Sequence, residues 1–455
     1  MKKSLLLKWT PFVLFGFIAL IGVFVSPGSL VTSKGMVAGD MAWVLVASTL
    51  VFLMTPGLSF FYGGMVSRRN VISTMLQSFI ATGLISILWV IVGFSLAFGD
   101  SWHGLIGNPF SHLFFRNVID GAPWKLAPTI PLLLFALFQM KFAVITPALV
   151  VGAVAERIQF KAYLLFMILF SLLIYSPIAH WTWDPDGILF KFGVLDFAGG
   201  TVVHISAGCA ALAGALVLKR RKAHIKNIGI KPANIPFVLL GTGLLWFGWF
   251  GFNAGSALAA NDLAALAFAT TNTATAAAGL SWVFFDSVRG RKPSAMGFCV
   301  GAVVGLVAIT PAAGFVGIPQ SICIGFVAAI ISNMAVHWKS KSSIDDTLDV
   351  FPCHGIGGMV GMLMTGLFAS SAINSGANNG WFYGNFTLFL HQLLGMLLVV
   401  AYSFIMGLLI FKLVDRIYPL RVSEEEEEIG LDLSQHDERY QPVGSQSLLH
   451  EMDFI

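Results

Sequence analysis

The sequence predicts an all-α polytopic membrane protein, and three observations carry that prediction. Over half of the 455 residues are hydrophobic and only 11% are charged. The mean hydropathy of +0.81 lies far above that of a water-soluble domain. Apolar runs of about twenty residues follow one another, each long enough to cross a hydrocarbon layer of roughly 30 Å as a helix. Barrel strands would be half that length and would alternate.

Taken in chain order, the spans fall near 41–66, 71–98, 128–155, 162–183, 196–218, 235–258, 262–286, 295–313, 319–337, 348–370 and 389–414, eleven in all. Orientation comes from the Lys and Arg of the short connections. One set of loops holds "SRRN" at 67–70, "ERIQFK" at 156–161, "KRRKAHIKNIGIK" at 219–231, "RGRK" at 289–292 and "KSK" at 339–341, fifteen basic residues in total. The alternate set holds three: Arg116, Lys125 and Lys191. The basic set is therefore cytoplasmic, the first span starts outside and the chain ends inside.

That orientation bears on residues 1–36, where "MKKSLLLKW" is followed by "TPFVLFGFIALIGVFV". A basic flank and a short apolar core mark a secretory signal. An outside start for the next helix requires this segment to be cleaved or to stay as a twelfth, signal-anchor helix. Residues 37–415 form the transmembrane domain and 416–455 a cytoplasmic tail. From Arg421 onward the tail carries "EEEEE" at 424–428 and five further acids against two arginines, a net charge of about −8. It reads either as a solvated acidic run or as a regulatory strap lying on the basic loops. Cys209, Cys299, Cys323 and Cys353 all lie within spans and form no CxxC pair, so they read as small buried apolar residues, with no zinc site or disulfide framework.

Glycine recurs inside the spans, as in "FYGG" at 61–64, "GTGLLWFGWFGFNAGS" at 241–256 and "HGIGGMVGMLMTG" at 354–366. Small residues let membrane helices approach closely. A second pattern concerns order along the chain. The fifth span has Asp196 and His204, and the tenth has Asp349 and His354; the first has "FFYGG" and the sixth "GFNAG". Five spans separate each pair, so the two halves enter the membrane from opposite sides. This predicts a five-plus-five inverted repeat, with the functional site at the midplane between the halves.

Ionisable residues inside a bilayer are costly and usually face a cavity or a partner. His204 and His354 are either two separate core histidines or a shared site; their matching places in the repeat favour sharing. A pair of meeting rings offers nitrogens that accept and donate protons along an apolar path. Haem or metal ligation would need further ligands at suitable spacing, which the sequence does not offer. An intramembrane hydrolase would need an activated serine, but Ser206 lies two residues from His204, on another helix face, and no nucleophile elbow is present. A conduction path for a small polar solute is left.

The stretches "PGLSFFYGG" (56–64), "GAVAERIQF" (152–160), "DFAGGTVVHISAG" (196–208), "GWFGFNAGS" (248–256), "NTATAAA" (272–278), "DVFPCHGIGG" (349–358), "MTGLFA" (364–369) and "RVSEEEEEIGLDLSQHDERY" (421–440) together resemble the ammonium transporter (Amt) family of bacteria, archaea and plants. The resemblance runs from the first span to the tail. It implies a homotrimer with one pore in each subunit. Phe142 and Phe252 map to the stacked phenylalanine gate, and His204 and His354 to the twin histidines of the pore. Phe138, Trp183 and Ser256 map to the outer ammonium recruitment site. Asp196 maps to the family's structurally important acid.

Those residue types suit the implied chemistry. Ammonium has four N–H donors, so an aromatic face attracts it while a hydroxyl accepts one of its bonds. Potassium has no proton to give and cannot become neutral before a greasy constriction. Ammonia then passes the histidines, and return of the proton through the pair and Asp196 would make transport electrogenic. Asp196 is also expected to cap the fifth helix. Lys141 stands where the family usually has an uncharged residue, and is expected to point towards a subunit interface or to snorkel outward. The resemblance further implies a bacterial inner-membrane location and a PII-type nitrogen regulatory protein docking on the cytoplasmic face. Neither a cofactor, a metal, a nucleic acid partner nor an enzymatic activity is expected. The alternatives are an electroneutral ammonia channel of the related Rh type and a membrane ammonium sensor.

Overall fold

The computed structural model describes residues 2–26, 28–29, 35–226, 228–229 and 231–440. Among these, ten helices are long and apolar enough to cross a membrane: Ala38–Met65, Arg68–Phe98, Leu132–Val154, Phe160–Phe192, Gly200–Leu218, Ile235–Ala257, Asp262–Val288, Ile318–Ser340, Phe351–Phe368 and Phe386–Ile417. The shorter apolar helix Ala295–Ile309 stands at the place predicted for the eighth span. Each of the eleven expected spans therefore has its helix, with ends shifted by a few residues except in the fourth, which runs on to Phe192. A further helix, Lys2–Val23, precedes them, with Phe12 and Phe15 exposed.

Local sequence explains where several helices begin. Asn234, Asn261, Ser294 and Asn385 accept N–H bonds from Phe237, Ala264, Gly297 and Thr387 at the starts of the sixth, seventh, eighth and eleventh spans. Burial then sorts the spans by position. The most apolar stretch of the third span is 89% buried, whereas that of the eleventh is 33% buried. The third span is therefore central and the eleventh faces outward. Cys209, Cys299 and Cys353 are buried as expected, but Cys323 is exposed, because it lies on the outward face of the ninth span.

The fifth and tenth spans share an unusual start. Each opens with a wide π-helical turn, Gly200–Ile205 in one and Phe351–Ile356 in the other. Asp196 accepts N–H bonds from Gly199, Gly200 and Thr201, each at 2.7 Å. In the tenth span the matching acid is Asp346, which accepts from Val350 at 3.0 Å and from Phe351 at 2.7 Å. Asp349, paired with Asp196 on sequence, instead adopts φ 59° in the connecting turn and pairs with Lys339 at 2.7 Å. Both capping acids stand eight residues before their histidine, so the repeat is closer than the sequence motifs suggest. Glycine lets the halves meet, since a Cβ on Gly208 of the fifth span would strike the backbone of Gly355 in the tenth.

On the basic face, Arg221 joins three loops, bonding Asp345 through both carboxylate oxygens and Glu156 at 2.5 Å. Burial alone would push the Glu156 carboxyl up, but Arg221 and bonds from Ser67 hold it below the usual range. Asp345 is held well below that range by the Arg221 bonds and the Arg157 charge, which outweigh its burial. Asp346 goes the other way, pushed up to about 6 by burial despite Lys339. The tail lies on this face. Glu428 pairs with Lys222 at 2.8 Å, Glu427 accepts the Lys222 N–H, and Asp432 accepts the Ser73 N–H at 2.8 Å. The described part of the acidic run therefore lies against the basic loops.

Candidate functional site

His204 and His354 meet. Their Nδ1 atoms lie 3.3 Å apart and their ring centroids 5.5 Å apart, and both residues are buried. For two neutral rings that contact has one consequence: one Nδ1 donates and the other accepts. One Nε2 then carries a proton and the other is bare, so the pair presents one donor and one acceptor. The His204 Nε2 has no hydrogen-bond partner among the described residues.

Beside the rings is a small cavity of about 10 Å³, room for about one water-sized molecule. Apart from His204, His354 and Trp249, its walls are aliphatic, Met and Phe side chains. The Trp249 N–H is taken by the Thr310 hydroxyl at 2.9 Å, and its ring stacks on His204 at 5.3 Å. Phe252 lines the same cavity, and its ring meets that of Phe142 at 4.2 Å.

On the other side, Phe142 lines a vestibule of about 440 Å³ together with Gln139, Thr182, Trp183, Asp196 and Ser256. The two touching phenylalanines therefore stand between a roomy chamber of mixed polar and apolar lining and a one-molecule apolar one. Trp183 is fixed by its N–H bond to the Asp196 carbonyl at 3.0 Å and stands edge-on to Phe142 at 5.8 Å. The Ser256 hydroxyl donates to the Phe252 carbonyl at 2.8 Å, which leaves its lone pairs free to accept.

Of the candidate residues, Trp183, Ser256, Phe142 and Asp196 converge on the vestibule, and Phe252, His204 and His354 on the inner cavity. Phe138 does neither. It is fully buried against Phe142, with ring centroids 5.0 Å apart and edge to face. Lys141 lines neither cavity and lies over the Phe52 ring of the first span, 5.4 Å from its centroid. The Ser206 hydroxyl bonds the Val202 carbonyl and is not aimed at His204. Sequence reasoning missed Trp249, Thr201 and Gln139. Trp249 and Gln139 each precede a candidate phenylalanine, Phe252 and Phe142, by three residues and so share its helix face, but that spacing alone does not mark a site residue.

Comparison with known proteins agrees with this architecture. The model of the Ammonium Transporter Family matches residues 42–440. The ammonium transporter of Aquifex aeolicus is 45% identical over 426 residues, covering 93% of this chain and 98% of that protein. Ammonium transporter Amt1 of Archaeoglobus fulgidus is 44% identical over 400 residues, covering 88% of this chain and 98% of that one. Among solved structures, Saccharomyces cerevisiae Mep2 superimposes with a TM-score of 0.83 at 36% identity, covering 90% of this chain and 93% of that one. A structure described as a sensor Amt protein gives a TM-score of 0.79 at 31% identity, covering 88% and 98%. With nearly its whole membrane region and most of its tail inside the match, this chain belongs to the ammonium transporter family.

Proposed function

We propose that the protein is an ammonium transporter that draws the ion into the outer vestibule, deprotonates it at the phenylalanine gate and conducts ammonia past the twin histidines. The single observation that carries this reading is the small apolar cavity whose polar walls are the paired rings of His204 and His354, with Phe252 in its wall touching Phe142 in the wall of the vestibule. A bare cation in so apolar a chamber loses its hydration and gains almost nothing in return. Neutral ammonia loses far less, and the histidine pair offers it both a donor and an acceptor. Trp183 and Ser256 recruit the ion, and Phe138 stiffens the gate behind them.

The proton returns through the histidine pair, with Asp196 at the outer end of that route, so that transport carries charge. The protein works as a homotrimer in a bacterial inner membrane, with its C-terminus cytoplasmic and Lys2–Val23 serving as signal or anchor. The fifteen basic residues of one loop set against three of the other support that sidedness. A PII-type regulator docks on the basic face beside the tail.

The test is a solid-supported membrane recording on proteoliposomes. Ammonium evokes a current in the wild type, potassium does not, and His204→Leu abolishes the ammonium current. Uptake of ammonia without current would point to an electroneutral channel, and binding without either flux to a sensor. The second of these has a specific ground, the 31% identical structure described as a sensor Amt protein. In cells, the wild type rescues growth of a strain lacking ammonium uptake and His204→Leu does not.

A further inference from the structure

We propose that Gln139 is a further ligand for ammonium in the outer vestibule, its amide oxygen accepting one of the ion's N–H bonds. The inference rests on the reading of the vestibule as an ammonium site and adds a residue that no sequence motif pointed to.

Its placement follows from helix geometry. Gln139 precedes Phe142 by three residues on the third span, so the two side chains share a face, Gln139 about 4.5 Å further out. Ser256 follows Phe252 by four residues on the sixth span, which runs the opposite way. It too stands one turn outside its phenylalanine. Since the two rings meet at 4.2 Å, side chains one turn above them on the same faces converge over the gate. Both line the vestibule with Trp183.

Gln139 is only 8% exposed, and its Oε1 has no hydrogen-bond partner among the described residues. Buried amide oxygens are rarely left without a partner, because desolvation without a bond is costly. The last torsion of glutamine is broad and roughly two-fold, so a half-turn exchanges oxygen and nitrogen at little steric cost. The side chain can therefore offer its oxygen to a cation. Ammonium is tetrahedral, with four donors and no acceptor. The Trp183 face attracts it, the free lone pairs of Ser256 take one N–H, and Gln139 takes another. An amide oxygen also suits potassium, so Gln139 contributes affinity, and the rejection of potassium stays with the gate below.

The experiment titrates ammonium chloride against current in proteoliposomes on a solid-supported membrane. Gln139→Leu, close in size but without an acceptor, raises the half-saturating concentration about ten-fold or more, the loss expected for one bond to a charged group. Its maximal current stays within about two-fold of wild type, because binding is lost and not passage. Gln139→Glu keeps the acceptor and holds or lowers the half-saturating concentration. Wild-type half-saturation in Gln139→Leu overturns the proposal, as does weakening of Gln139→Glu to the same degree. If Gln139→Leu does not assemble, the Gln139→Glu titration decides by that criterion. A wild type that gives no ammonium current overturns the transport reading and this inference with it, so the two failures are distinguishable.

Discussion

At Asp196 one carboxylate accepts N–H bonds from Gly199, Gly200 and Thr201 and a further bond from the Thr201 hydroxyl, all at the start of the helix that carries His204. Gly199 sits at φ +118°, a conformation that suits glycine and lets the chain turn sharply enough for those N–H groups to point at one carboxylate. Capping and proton transfer make different predictions here. Asp196→Ala leaves the N–H groups unpaired and costs about 3 kcal/mol or more of stability, read as a fall of several degrees in the melting temperature in detergent. Asp196→Asn keeps one acceptor oxygen and cannot carry a proton. If capping dominates, its melting temperature falls by less than half as much as that of the Ala variant. An equal fall in both would sink the capping account. His204, His354 and this acid were legible in the sequence because ionisable residues in a membrane span are rare enough to need a reason. Gln139 was not, since an uncharged amide beside an aromatic motif carries no such signal until its surroundings are known. Nor was the role of Asp346. Asp349 drew attention by standing at the head of a motif, whereas the eight-residue spacing that identifies Asp346 gains meaning only from the capping bonds.

Elements on the basic face are tied by Arg221, which reaches from the loop after the fifth span to Glu156 after the third and Asp345 before the tenth. Its side chain is 8% exposed, so the two carboxylates depend on it for charge compensation. Arg221→Ala strands both acids and costs about 3–5 kcal/mol, as breaking a buried pair usually does, while Arg221→Lys recovers only part of this because it lacks the fork. The pH dependence has a definite sign. Glu156 and Asp345 have folded-state values below their ordinary 4.5 and 3.8. Their stabilisation is fully present above those ordinary values and is lost as pH falls through the lowered ones. Asp346, pushed up to about 6 from 3.8, adds an opposite slope, losing stability as pH rises from about 4 to 6. Melting curves of the wild type in detergent between pH 3 and 7 therefore peak on the acid side of neutrality and drop below about pH 4. In Arg221→Ala the drop below pH 4 is much shallower. An equal drop in both would show that another group governs acid unfolding. None of this network was readable beforehand. The same basic residues that set the orientation gave no hint of which carboxylates they would meet, because the contacts join loops far apart in sequence.

For the whole molecule, the eleven spans were legible because each membrane helix satisfies its own backbone, so length and apolarity nearly suffice to find it. How the tail lies on them depends on long-range contacts that composition does not contain. The Leu431 N–H bonds the Asn70 side chain and Asp432 caps the Ser73 N–H, so the far end of the chain completes the start of the second span. Lys222 adds pairs to Glu424 and Glu428, both through exposed carboxylates. A strap held partly by buried bonds and partly by exposed charge should loosen with salt without detaching altogether. A glutamate-specific protease has targets at 424–428, where Glu427 is buried and the other carboxylates are more open; the docked helix Glu424–Ile429 holds their backbone in a form the protease must first unwind. Cleavage is therefore slow for the wild type at low salt and several-fold faster for Lys222→Glu, which turns attraction into repulsion. Salt at about 0.5 M, with a Debye length well under 10 Å, accelerates the wild type and slows the variant, bringing the two together. Sidedness enters the same experiment. With a cytoplasmic tail, cutting occurs in inside-out vesicles and not in right-side-out ones. Cutting from the outside would overturn the orientation drawn from the basic loops, and equal rates for wild type and Lys222→Glu would show that the strap is held by its buried bonds alone.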